Sequence, residues 1–351
     1  MKNFSAVTYI HLSDYYGMED QKPVYFCMFL IIYITIVAEN IVLIGVVYFE
    51  KTLHDPMFLL LSNLAVNGLY GSTALLPALL SNLVSDSYEI SLAFCQIQIY
   101  VVHTYAVTEF TILAAMSYDR YVAICYPLLY HTIMSQRVVK IIVFTWIYPM
   151  LAFLIVFIFT LRLRLCERTI DKVYCMNYLL VKLACTDTAI VNIVGLVSAA
   201  LFVIPQLIMI FYSYAHILRI CVLSFRESKL KALRTCTPHL FAVTNYSIGC
   251  LFEIAQSRFK MSHLSYQSKL FLSLYFLIFP PILNPTIYGL SIQVIRAKLV
   301  KLFSRKSWHV THNVAERSVV MVHSKCVLHV AVKTEASGNK LHTNILSFHV
   351  A

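Results

Sequence analysis

The chain is short of charge and of glycine. Asp, Glu, Lys and Arg make up 13% of its 351 residues, against 59% hydrophobic residues, and the mean hydropathy is +0.73. A soluble domain of this size would lack the charged surface that keeps it in water, so the solvent is lipid. The eight glycines form neither a collagen-like repeat nor a Gly/Ser linker, which excludes a fibre and a string of loosely joined domains. His-Glu-x-x-His, a nucleophile elbow and a phosphate loop are all missing, which removes the enzyme classes they mark. Internal repeats with interrupted helix pairs, common in transporters, are missing too. A transporter is thereby a competing class without a motif to carry it.

What the chain has instead is long apolar runs. Stretches near the ~20 residues that cross a bilayer lie at 24–48, 58–81, 95–119, 138–160, 190–222, 235–257 and 270–292. They predict an all-α membrane protein, a bundle of seven transmembrane helices. The second run contains Asn63, Asn67, Gly68 and Pro77, and neighbouring helices can satisfy what such residues leave open. Lys51, Arg120, Arg137, Lys140, Arg219, Arg226, Arg296 and Lys298 fall at alternate ends of the runs, which the positive-inside rule assigns to the cytoplasm. The amino terminus is then outside and the carboxyl terminus cytoplasmic, although Arg162, Arg164, Arg168, Lys172 and Lys182 make the loop after the fourth run basic as well. The net charge of +11 sits at membrane ends, which suits anionic lipid and a cytosolic protein partner and not nucleic acid.

The chain divides into an extracellular segment 1–23, a seven-span domain 24–301 and a cytoplasmic tail 302–351. The tail follows no helical period and is expected to be disordered. Residues 1–23 are polar and mixed in charge, so the first span is read as an uncleaved anchor. Asn3-Phe4-Ser5 is a glycosylation sequon on the outer side.

Cysteines sort by compartment. Cys95, Cys166, Cys175 and Cys185 fall outside, where disulfides form, and Cys125, Cys221, Cys236 and Cys326 face a reducing cytosol. Four outer cysteines allow three connectivities, and spacing does not choose among them. A zinc site is the rival reading, against which stands the lack of close Cys pairs. Cys27 and Cys250 read as buried apolar fillers.

Four motifs follow in order. Leu53-His54-Asp55-Pro56-Met57-Phe58 opens the second span, with proline where a helix start loses no required donor. Met116-Ser117-Tyr118-Asp119-Arg120-Tyr121 closes the third, placing an arginine that is too costly to leave in lipid beside an acid. Lys231-Ala232-Leu233-Arg234-Thr235-Cys236-Thr237-Pro238-His239 opens the sixth, and Pro280-Pro281-Ile282-Leu283-Asn284-Pro285-Thr286-Ile287-Tyr288 lies in the seventh. There Pro285 removes an intrahelical bond and leaves carbonyls that Asn284 or water can satisfy. Taken together over roughly residues 24–300, with Asn40 and Trp146 as further landmarks, these motifs resemble odorant receptors of the rhodopsin-like G-protein-coupled class, and several segments resemble fish-type members.

That resemblance implies a receptor in the plasma membrane that binds a small odorant outside and activates a stimulatory, olfactory-type G protein inside, raising cyclic AMP. It implies the pairings Cys95–Cys175 and Cys166–Cys185. The switch it implies consists of Asp119, Arg120, Tyr121, Tyr214, His239, Asn284, Pro285 and Tyr288. Candidate ligand contacts are His103, Val107, Phe110 and Arg258. His103 lies eight residues past Cys95, about 12 Å down the helix, and should look inward, against a His103 that only bonds within the bundle and an Arg258 that snorkels to the outer surface. Arg258, in Gln256-Ser257-Arg258-Phe259, resembles an arginine that anchors carboxylates in fish-like relatives, and a guanidinium fork suits a carboxylate.

The chain also departs from the family. Glu39 stands where relatives have glycine, and Gly68 where rhodopsin-like receptors generally have an acid; Arg234 replaces a serine. Glu109 stands eleven residues before Arg120, within about 20° of the same helix face. An ionisable residue at mid-membrane points to function, and Glu109 is a candidate for sodium or a proton, against a carboxyl simply bonded to a neighbour. No other cofactor is expected. A receptor-like protein that no longer signals is the alternative that Arg234 and the long tail keep open.

Overall fold

The computed structural model describes residues 7–298 apart from 86, 224–225, 259–263 and 293, and the backbone of 330–331 and 345–346; the side chains of 223, 226–235 and 257–258 fall outside that description. Asn3, the Arg234 and Arg258 side chains and most of the tail therefore lie outside the described residues.

Among the described residues there are seven long helices: α1 (Lys22–Phe49), α2 (Pro56–Val84), α3 (Leu92–Cys125), α4 (Val138–Leu161), α6 (Ala189–Leu223), α7 (Arg226–Arg258) and α8 (Tyr266–Ser291), with a short α5 (Asn177–Lys182) in the loop after α4. Six of the seven are long and apolar enough to cross a membrane by length and composition among the described residues. The other, α7, has the length but begins in a basic stretch at Arg226. Pro56 takes the first turn of α2, where its missing N–H costs nothing. α3 is capped by Ser91, whose Oγ accepts the Phe94 N–H at 3.3 Å.

Burial orders the bundle. α3 packs against α2, α4, α6 and α7, and 72% of its apolar stretch is buried, against 11% for α6. The outer faces of α1, α4 and α6 present Ile31, Ile34, Ile147, Leu151, Ile204, Ile208 and Phe211 to the surroundings, an apolar belt that only lipid can cover. Cys27 belongs to that exposed belt and is not a buried filler, while Cys250 is partly buried. Helix periodicity alone does not tell a lipid face from a core face when both are apolar.

A small sheet closes the outer end. Strand β1 (Tyr9–Leu12) lies between β2 (Glu89–Ser91), antiparallel, and β3 (Thr169–Ile170), parallel. The segment after β1 packs down behind it: the buried Tyr15 hydroxyl donates to the Val173 carbonyl at 2.9 Å, and its ring stacks on Tyr88 at 5.4 Å. Tyr88 has a φ of 48°, a left-handed conformation costly for a tyrosine, and it is held there between Tyr15 and Tyr16. Residues 296–351 form a separate unit in which β4 (Val330–Ala331) pairs antiparallel with β5 (Ile345–Leu346).

The seventh span, α8, contains Pro280, Pro281 and Pro285. A proline has no N–H for the carbonyl four residues earlier, so Pro285 frees the Pro281 carbonyl and Pro280 frees that of Phe276. Other helices fill both. Asn40 of α1 donates its Nδ2 to the Pro281 carbonyl at 2.8 Å, and Tyr105 of α3 donates its hydroxyl to the Phe276 carbonyl at 3.0 Å. The donor at Pro281 is thus Asn40 and not Asn284, which is turned elsewhere. Two glycines of α2 make room for this. A Cβ on Gly71 would lie 2.4 Å from the Tyr105 ring, and one on Gly68 would lie 3.3 Å from Pro281 and 3.4 Å from Asn40 Oδ1.

The Tyr105 ring cannot retreat without giving up its bond to α8. Gly71→Ala should therefore overpack the α2–α3 contact and lower stability by about 1–3 kcal/mol, read as an earlier thermal unfolding midpoint of the detergent-solubilised protein. Combining it with Tyr105→Leu should recover only part of that loss, because the Phe276 carbonyl is then left bare. Full recovery by the double variant would show that the carbonyl does not need its donor.

Candidate functional site

Three polar clusters lie along the bundle axis, each built on α3. At mid-membrane, Glu109 is buried at 1% exposure. One of its carboxylate oxygens accepts Asn67 Nδ2 of α2 at 2.7 Å, and the other accepts Asn284 Nδ2 of α8 at 2.8 Å. Gly68 lies tight against Pro281, and the carboxylate at this depth comes from α3. The Oδ1 atoms of Asn40, Asn67 and Asn284 and the Tyr288 hydroxyl are buried without a hydrogen-bond partner. Glu39, the other departure, accepts the Thr286 hydroxyl of α8 at 3.1 Å.

At the inner end, Asp119 is fully buried and paired with Arg120, whose Nε lies 3.0 Å and Nη2 2.5 Å from Asp119 Oδ2. The second carboxylate oxygen accepts the Tyr130 hydroxyl at 2.8 Å. Tyr130 lies in the loop after α3, and burial together with the Asp119 charge raises its phenol above the ordinary tyrosine range, so it stays a donor. Beside this lock, the Tyr214 hydroxyl of α6 bonds His239 Nδ1 of α7, and His239 Nε2 lies 3.0 Å from the Leu113 carbonyl of α3. A neutral ring can serve one of these contacts as donor and the other as acceptor, which ties α6, α7 and α3 together. Ala114, Ile210, Tyr214, Ile217, Cys221 and Cys236 close the same seam with apolar surface. Tyr121 packs edge-on against Tyr212 of α6 and sits outside the lock itself.

At the outer end, Cys95 at the top of α3 is joined to Cys175, and Cys166 to Cys185. Gln98 braces the first bridge: its Oε1 accepts the Cys175 N–H at 2.8 Å, and its Nε2 donates to the Ala74 carbonyl of α2 at 3.0 Å. His103 does not face the bundle axis as expected. Its ring stacks on Phe153 of α4 at 4.4 Å and Nδ1 lies 2.9 Å from the Ile99 carbonyl. Counting residues down a helix fixes depth well and azimuth only to within a neighbouring helix. Phe110 does look inward, edge-on to Tyr246 of α7 at 4.8 Å. Val107 is partly buried one turn above Thr111, which accepts Gln206 Nε2 of α6 at 2.7 Å. A groove of about 500 Å³ between α2 and α3, lined by Val66, Tyr70, Phe94 and Gln98, opens towards the lipid side, where Val66 and Phe94 are exposed.

Several participants carry little signal in the sequence. Tyr105 and Tyr130 each carry a bond that no local pattern announces, since the partners are 171 and 11 residues away. By sequence Lys172 is one more cation of a basic loop, and Glu253 is an acid inside the sixth apolar run. Both are buried and ion-paired. The one available signal was an acid inside an apolar run.

A mouth sealed by disulfides above a bundle whose inner end holds a buried Asp–Arg pair is the build of a G-protein-coupled receptor. Comparison with known proteins narrows the class. Residues 26–306 match the family described as olfactory receptor. Human Olfactory receptor 2A12 is 36% identical over 272 residues, 76% of this chain and 86% of the relative. Mouse Olfactory receptor 5M5 is 35% identical over 309 residues, 86% and 95% of the two chains. The chain belongs to the olfactory receptor family. It is a multi-pass receptor of the plasma membrane and not an enzyme.

Tyr130→Phe removes one hydrogen bond to a charged group, about 1.5 kcal/mol or more of the hold on the closed inner end, or about tenfold in a two-state balance. Basal cyclic AMP, normalised to surface level, should rise severalfold. An unchanged basal signal would show that the hydroxyl does not restrain Asp119 and Arg120.

Proposed function

We propose that this receptor is activated by small carboxylate-bearing odorants and signals through a stimulatory, olfactory-type G protein. The observation that carries the signalling half is the Asp119–Arg120–Tyr130 lock beside the Tyr214–His239–Leu113 bridge. The guanidinium on which a G protein would act is tied to its own helix, and the two helices that must part to uncover it are tied to each other. A ligand shifts such a balance only through its differential affinity for the two packings. Arg120 then exchanges Asp119 for contacts near Tyr214 and Tyr288, while Asn284 and Pro285 supply a bend in α8 that can take two forms.

The ligand half rests on Arg258, which ends α7 at its outer end within a segment resembling carboxylate-binding relatives. Phe110, Val107 and the buried, unpartnered Oε1 of Gln206 and Oγ of Ser273 would supply the odorant with apolar surface and a few polar contacts. Sodium is proposed at Glu109: turning over the Asn67 and Asn284 carboxamides would present their unpartnered oxygens beside the carboxylate in place of N–H groups, a donor set suited to a hard monovalent cation. The tail 302–351 is proposed as a cytoplasmic extension of the seven-span domain, and Asn3 as a glycosylation site.

Arg120→Ala should abolish ligand-dependent cyclic AMP while leaving surface delivery nearly intact; full signalling would remove Arg120 from the switch. Arg258→Ala should weaken acids far more than their esters or alcohols, read as dose–response curves on the same cells. Equal loss for acids and esters would remove the carboxylate anchor.

A further inference from the structure

The second outer loop carries a lysine into the protein. Lys172 is 5% exposed and Glu253 of α7 is 8% exposed. The ammonium lies 2.6 and 2.7 Å from the two carboxylate oxygens of Glu253. Its nitrogen sits 5.2 Å from the ring centre of Tyr174 and 6.0 Å from that of Tyr178. The Tyr174 hydroxyl is 3.2 Å from Glu253 Oε2 and donates to the Ser273 carbonyl of α8 at 2.9 Å. A carboxylate with two aromatic faces is an ammonium-binding cage, and here the chain's own lysine fills it.

We propose that this cage is a ligand subsite and that the ligand is an amino-acid-like zwitterion, its ammonium replacing that of Lys172 on Glu253 and Tyr174 and its carboxylate pairing the displaced Lys172. The inference rests on the acid-ligand reading above and adds the second charge. Burying an ion pair returns little net stability, because desolvation offsets the attraction. Burial indeed holds the Lys172 ammonium below the ordinary lysine range even with Glu253 beside it, so that here desolvation outweighs the attraction. Separating the partners with a ligand of one charge is another matter, since it leaves a buried ion without a counter-charge. Only a ligand carrying both charges re-pairs both. The Ser273 Oγ, buried and without a partner, adds a polar contact at the same wall.

The subsite is also placed to act. Lys172 and Tyr174 are tethered to the top of α3 through Cys175 and Cys95, Glu253 stands on α7, and Tyr174 reaches α8. Exchange of the pair therefore loosens α7 from the outer loop, and α7 carries His239 at its other end.

The test uses the full-length receptor at the cell surface with a cyclic-AMP readout, challenged with a mixture of the common amino acids and with matched mixtures of the deaminated acids and the decarboxylated amines. The zwitterions should activate at least tenfold more potently than either single-charge mixture. Glu253→Gln and Tyr178→Leu should each cost at least tenfold in zwitterion potency; Tyr178→Leu leaves the ion pair in place and keeps the test alive if Glu253→Gln fails to reach the surface. Silence towards the zwitterions, with surface delivery intact, overturns the proposal. Acids as potent as the zwitterions, with Glu253→Gln and Tyr178→Leu without effect on either, also overturn it and leave the acid-ligand reading standing. Activation by neutral odorants alone sinks both.

Discussion

In the bilayer core no water is available to a backbone carbonyl that has lost its donor, and a spanning helix with three prolines would carry such carbonyls at mid-membrane. The arrangement of α1, α2 and α3 around α8 follows from this. Asn40 and Tyr105 reach across from two different helices to the carbonyls that Pro285 and Pro280 release. Their reach fixes where α1 and α3 stand, and Gly68 and Gly71 are bare so that α2 can fit between them. Glu109 draws on the same economy, since with Asn40 serving the proline gap Asn284 is released to meet the carboxylate. One helix that cannot satisfy itself thus organises three others.

The same logic separates what the sequence made legible from what it did not. The seven runs could be read because apolar length is a one-dimensional property; each falls on a long helix, although α7 begins nine residues before its run and α8 ends one residue short of its own. The Asp119–Arg120 pair could be read because both partners lie in one motif. Tyr130 could not, because the loop that returns it to Asp119 has no pattern of its own. His103 shows the intermediate case: the residue count places it on α3, and only the structure shows its ring turned to Phe153 of α4. Lys172 was hidden for a different reason. A lysine in a basic loop counts as a surface charge until something shows that the loop folds inward.

The olfactory receptor assignment and the chain's departures from the family pattern are compatible. Gly68 takes away an acid from α2, yet Glu109 keeps a carboxylate at this depth in contact with both α2 and α8. Glu39 has found Thr286 on α8 and so adds a tie between the first and last spans. Both changes sit beside the proline gap, where a small backbone shift in α8 would be felt by every helix that donates into it.

The strand β1 has a consequence for how the protein is made. It pairs with β2, which follows the second span, and with β3, which follows the fourth. While a ribosome is threading the chain into the membrane, the amino-terminal segment has already crossed and must wait on the far side, its edge open, until two and then four spans have been inserted. An open strand edge invites wrong partners. The lumenal quality-control machinery would thus meet an incompletely threaded chain as one with a loose amino-terminal strand, and a finished chain as one without it.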